Sequence, residues 1–171
     1  KVIEPFDLIG TSAHGGLMNL TALAAITAAL AGIWFWAPTI GGDFLPSGLG
    51  RLVMLGFIAG ALLLGAPQVV AGFVDAPNLM LFDTEDSVVN AMSLVSAIGA
   101  VLVALGAIGV IAAVVSSKRN PGDAPGDNPW SGHTLEWATT SAPPVGNFAE
   151  PLAKVVSEAP LLDLADEEVD A

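Results

Sequence analysis

Two histidines, His14 and His133, and a set of carboxylates are the side chains of this 171-residue chain whose chemistry could serve a metal or move a proton. His14 stands near the start of a long apolar run, with Asp7 a little before it. An imidazole there can ligate a metal, or it can sit neutral and hydrogen-bonded to a neighbouring helix. Asp7 can help hold a cation together with oxygen ligands from a partner chain, or simply favour the positive end of a helix dipole. His133 lies in a polar stretch and reads as surface. The chain has no cysteine, which excludes disulfides, thiolate metal sites, iron–sulfur clusters and the C-x-x-C-H attachment motif. No Walker-type phosphate loop, G-x-S-x-G elbow or H-E-x-x-H pair occurs, and Ser, His and Asp are not placed to build a nucleophile.

The elements that must carry these residues are apolar. The chain is 53% hydrophobic and 13% charged, with mean hydropathy +0.69, whereas soluble domains carry about 25% charged residues. The composition is that of a membrane protein. The net charge of −12 is segregated into the C-terminal part and one loop. It argues against nucleic-acid binding, which needs a basic patch to neutralise phosphates.

Three stretches lack a formally charged residue: Thr11 to Trp36, Leu52 to Val74 and Ser87 to Ser117. Each exceeds the roughly 20 residues that a helix needs to cross a bilayer core, and open strands would leave backbone groups unpaired in lipid. Three transmembrane helices are expected. Arg51, Lys118 and Arg119 fall on one side, which the positive-inside rule makes cytoplasmic. The acidic loop Asp75 to Asp86 and the N-terminus are then outside, Lys1 dissenting mildly. Trp34 and Trp36 mark an interfacial aromatic belt at the exit of the first span, and Pro67 should kink the second. Gly56 and Gly60, and Gly99 with Gly106 and Gly109, let helices approach closely. Gly99 and Gly106 are therefore candidate partner-binding positions.

From Asn120 the composition turns to Pro, Gly, Asp and Asn up to about Phe148, followed by amphipathic fragments and the acidic end Asp166 to Asp170, which reads as a solvated run. Trp130, Trp137 and Phe148 are candidate anchors for a segment lying along a protein surface. The expected fold is an all-α membrane protein, with a three-helix transmembrane region over residues 1–117 and an extended, Pro-rich, acidic cytoplasmic tail over 118–171. The chain begins at Lys1 without a readable signal segment, which fits either a processed start or part of a longer chain.

The wording of the tail is more specific than its composition. Asn128-Pro-Trp130, Thr134-Leu-Glu-Trp137, Thr140-Ser-Ala-Pro-Pro144 and Asn147-Phe148 resemble the C-terminal tail of subunit I of bacterial haem-copper cytochrome c oxidases, which reads roughly "NPW…TLEW…TSPPP…NF". The resemblance extends backward. Gly32 to Pro38 is similar to the Trp-rich exit of that family's tenth helix. Leu49-Gly50-Arg51-Leu52 with Pro67 and Gly72 is similar to its eleventh, and Val89 to Gly99, closing at Ser117-Lys118-Arg119, to its twelfth. The resemblance covers essentially the whole chain and about the last quarter of a full catalytic subunit.

In that family the tenth helix carries the motif H-D-x-x-x-x-x-A-H-x-H. The first His and the Asp lie near a non-redox metal, the second His ligates the high-spin haem, and the last ligates the low-spin haem. Here the matching stretch runs from Phe6 to Gly16. Asp7, Ala13 and His14 keep their places, Phe6 replaces the first His, and Gly16 replaces the last. The resemblance thus implies a haem-ligand role for His14 and a metal-adjacent role for Asp7, while Gly16 has no side chain to offer iron. The copper-site histidines belong to earlier helices. Two expectations follow. In the first, the chain is a structural member of a respiratory oxidase complex in a prokaryotic plasma membrane. It is packed on catalytic helices in lipid and braces neighbouring subunits with its tail. It holds no redox centre itself, haem and copper residing in the parent complex. In the second, it is the C-terminal segment of a split or divergent catalytic subunit. His14 then binds the oxygen-reducing haem, and the complex passes electrons from cytochrome c to oxygen while moving protons in aerobic respiration.

Overall fold

The computed structural model describes residues 8, 10–74, 76, 86–148, 151 and 155–163. Phe6, Asp7, most of the loop between the second and third spans, and the acidic end at Asp166 to Asp170 lie outside the described residues. Among the described residues the chain is all-helical: α1 over Ser12–Gly41, α2 over Ser47–Gly72, α3 over Ser87–Arg119, and a short 3-10 turn at Leu135–Trp137. All three α-helices are long and apolar enough to cross a membrane.

The helix ends follow local chemistry. At the start of α3 the Asp86 carboxylate accepts hydrogen bonds from the backbone N–H of Val88 at 2.8 Å and of Val89 at 3.3 Å, capping donors that a helix N-terminus leaves orphaned. α1 runs beyond the expected end at Trp36, through Pro38 to Gly41. It stops where Gly42, at φ +71, bonds its N–H back to the Pro38 carbonyl at 3.0 Å. That is the left-handed glycine stop, which a residue with a Cβ adopts at a cost. α2 begins at Ser47, so that Arg51 rides on the helix rather than in the loop before it. α2 passes through Pro67, which withholds one helical donor.

The contacts group into two compact units. Unit 1 holds α1 up to Ala31, α2, and α3 up to Ala112. Its inner face is built from small residues and a few large ones: Val53, Phe57, Gly60, Ala61 and Gly65 of α2 are buried. Glycine makes this packing possible. A Cβ at Gly60 would lie 2.8 Å from the Val103 side chain and 3.0 Å from the Gly99 carbonyl oxygen, and one at Gly106 would meet the Phe57 ring at 2.9 Å. The opposite faces carry exposed Leu55, Ile58 and Leu62 on α2 and Val101, Leu105 and Ile108 on α3. A helix apolar all round is one whose outer face meets lipid or further helices. Unit 2 holds residues Gly32–Pro46 and Ala113–Ala171. In it the exit of α1, the end of α3 and the tail come together around buried Pro38, Thr39, Ala113, Ser117 and Trp137.

Candidate functional site

In unit 2 the tail is held by aromatic rings. Trp130 stacks on Phe35, ring centroids 5.4 Å apart and planes 6° from parallel, and its indole N–H donates to the Phe35 carbonyl at 2.9 Å. Trp137 stacks on Trp36 at 5.3 Å and 4° and meets Phe35 edge-on. Phe44 meets Trp130 edge-on, ring centroids 5.7 Å apart. Offset stacks and T-shaped contacts are the favoured aromatic geometries, so the rings form one ladder from the loop after α1 to its last turns.

The loop that presents Trp130 is closed by a single side chain. The Asn128 amide accepts from the Gly132 N–H at 2.8 Å and donates to the Gly132 carbonyl at 2.7 Å, with Ser131 at φ +53 on the tight side of the loop. Other residues could offer the backbone groups that Asn128 binds, but glycine is required at Gly132 because a Cβ there would run into the indole ring of Trp137. Farther on, the N–H of Ala142 donates to the Thr39 carbonyl at 2.6 Å. The Asp127 carboxylate accepts from Ser141 N–H at 3.1 Å, and the His133 carbonyl accepts from Leu161 at 3.1 Å. Lys118, at the end of α3, pairs with Asp43 at 2.5 Å and with the Gly41 carbonyl at 3.1 Å. Glu136 sits in the 3-10 turn, where its own backbone N–H and then the Thr134 hydroxyl hold its carboxyl below the ordinary range. Of the anchors that sequence suggested, Trp130 and Trp137 thus meet aromatic residues of this same chain, and Phe148 is half-buried. Gly99 and Gly106 both face α2.

In unit 1, His14 is exposed on the first turn of its helix. Two residues apart, His14 and Gly16 point about 200° from one another around the helix axis, and Gly16 is turned inward. A Cβ at Gly16 would lie 2.7 Å from the Gly65 carbonyl oxygen and 2.8 Å from the Val69 nitrogen. The place where the family pattern puts a second haem-binding imidazole is therefore filled by the backbone of α2, and the residues present do not fit a ligand there. Asp7 lies outside the described residues. Among the described residues no group of three or more His, Cys, Asp or Glu comes together as a metal site.

Sequence reasoning missed the Asn128–Gly132 closure and the pairing of Gly16 with Gly65. The first carries a local signal, since Asn in an Asn-Pro-Trp-Ser-Gly loop is suited to bonding nearby backbone. The second joins two helices and carries none.

No protein-family model matches the chain. It is similar to the probable quinol oxidase subunit 1 of Staphylococcus aureus strain USA300, 35% identical over 128 residues, covering 72% of this chain and 19% of that protein. The probable quinol oxidase subunit 1 of Staphylococcus epidermidis is 36% identical over 128 residues with the same shares. The chain thus spans about a fifth of the length of the curated relatives it matches. This similarity relates it to subunit I of the haem-copper oxidases, without singling out the cytochrome c branch.

Proposed function

We propose that this chain is a subunit-I-type segment of a terminal oxidase complex in a prokaryotic plasma membrane, with a mainly structural role beside the catalytic helices. Its tail lies on the cytoplasmic side, and haem and copper belong to the parent complex rather than to these residues. The observation that carries this reading is the aromatic ladder: Trp130 and Trp137, from the most family-like part of the sequence, stack on Phe35 and Trp36. A tail fastened in this way is a preformed surface for neighbouring subunits rather than a loose strand. For the electron donor of the parent complex, the relatives' names favour a quinol over the cytochrome c that the tail motif suggested. Deleting Asn128 to Phe148 tests the reading. The chain should then separate from its complex in mild detergent, and unchanged co-purification would refute the bracing role.

A second reading rests on a different observation. His14 keeps its family position and faces outward from unit 1, where a macrocycle held by other helices could reach it. In that reading the chain is the C-terminal segment of a divergent catalytic subunit, and His14 contributes an axial imidazole.

A further inference from the structure

α1 and α2 meet where the backbone of each occupies the space of a side chain on the other. A Cβ at Gly16 would lie 2.7 Å from the Gly65 carbonyl oxygen, and one at Gly65 would lie 2.9 Å from the Gly16 carbonyl oxygen. The contact is reciprocal and made by backbone atoms, so it cannot be relieved by turning a side chain. Leu20 closes over it, its Cγ 2.5 Å and its Cδ2 2.9 Å from the position a Gly65 Cβ would take.

Polar groups fix the two helices on either side of this crossing. The Ser12 hydroxyl donates to the Gln68 carbonyl at 2.9 Å, and the Ser12 N–H donates to the Ala76 carbonyl at 2.8 Å. One turn past Gly16, the Asn19 amide donates to Oε1 of Gln68 at 3.0 Å. Gln68 therefore receives α1 twice, once on its backbone and once on its side chain. Between apolar helices such an amide pair sets register, because sliding one helix along the other leaves both amides without partners.

We infer that α1 and α2 of this chain seal directly against one another at Gly16 and Gly65, in a register set by Gln68, and that no haem lies between them. A flat macrocycle needs roughly 7 Å between the atoms on its two faces, twice the ~3.5 Å contact distance of carbon. A backbone-to-backbone crossing leaves no such gap. The inference deepens the structural reading and rests on it only for naming haem as the excluded group.

The 171 residues hold no cysteine, so paired cysteines report proximity directly. Asn19→Cys with Gln68→Cys replaces two side chains that meet across the helices at 3.0 Å, leaves Gly16 and Gly65 untouched, and sets two thiols within reach of a short bifunctional thiol cross-linker. Val53→Cys with Gly109→Cys, across α2 and α3, where a Gly109 Cβ would touch the Val53 side chain, is the control. Both pairs are introduced into the complete protein and cross-linked in native membranes, and remaining thiols are labelled with a maleimide after solubilisation. A seal predicts that the Asn19/Gln68 pair loses nearly all labelling, as the control does. Persistent labelling of that pair beside a cross-linked control overturns the inference. The second measurement is Gly16→His in the purified complex. The expected result is less assembled chain and no added low-spin haem absorbance, whereas a new low-spin signal would overturn the seal. Neither readout depends on the tail, so failure of the bracing role leaves this test intact.

Discussion

Trp137 lies flat on Trp36, the two indoles 5.3 Å apart and 4° from parallel across a hundred residues of sequence. Trp137 is 7% exposed, so most of its surface is removed from water by packing in unit 2. Truncating a buried Trp costs about 3–5 kcal/mol. Trp137→Ala should free the tail to proteases at residues 120–148 while the three helices stay intact by circular dichroism. A tail as resistant as wild type would show that the stack contributes little.

The Asn128 side chain closes the loop that aims Trp130. Removing it strands the N–H and carbonyl of Gly132, and each unsatisfied group costs about 1–3 kcal/mol where it cannot reach water. Gly132→Ala attacks the same place differently, by forcing a methyl group into the Trp137 ring. Both variants should broaden Trp fluorescence and speed tail cleavage. Asn128→Asp, which keeps the acceptor for the Gly132 N–H and loses the donor, should fall between them and wild type.

Lys118 and Asp43 form an ion pair with Lys118 59% exposed. Pairs in that setting contribute about 0–1 kcal/mol and are screened by salt. Lys118→Ala should therefore change thermal stability little, and the small loss should vanish in high salt. A large, salt-insensitive loss would mean that the contact with the Gly41 carbonyl at 3.1 Å matters more than the charge.

Glu136 has its folded carboxyl held below the ordinary range by its own backbone N–H and Thr134. A depressed folded value stabilises the turn above the unfolded carboxylate range, and that stability is lost as pH falls through the folded value. Acidification should loosen the Leu135–Trp137 turn, seen as a shift in Trp137 emission. Glu136→Gln should remove that component of the pH response.

Gly99 and Gly106 face α2, where a Cβ at Gly99 would press on the backbone at Gly60, 2.8 Å from its carbonyl oxygen. Overpacking a close contact costs about 1–3 kcal/mol. Gly99→Leu with Gly106→Leu should lower the yield of assembled chain in mild detergent several-fold. Normal yield would place these faces against lipid.

The three spans were legible in the sequence because charge-free length is a direct physical signature, and the starts of α1 and α3 fall within a residue of expectation. The end of α1 was not, because Pro38 and the Trp-rich exit read as a stop while the real stop is the positive φ of Gly42. The tail's aromatic residues were recognisable as anchors from their type. Their partners were not: nothing local ties Trp130 to Phe35, and Trp34 and Trp36 read as an interfacial belt, whereas Trp36 stacks under Trp137. Likewise Gly16 announced a missing ligand, but only the crossing with Gly65 explains why no side chain could return there.

The most direct test of the account is a reduced-minus-oxidised optical spectrum of the purified complex, wild type against His14→Ala, with oxygen uptake measured on the same samples. A structural role predicts that spectrum and uptake are unchanged. Loss of the high-spin haem signal from a complex that still assembles would contradict it and make this chain part of the catalytic core.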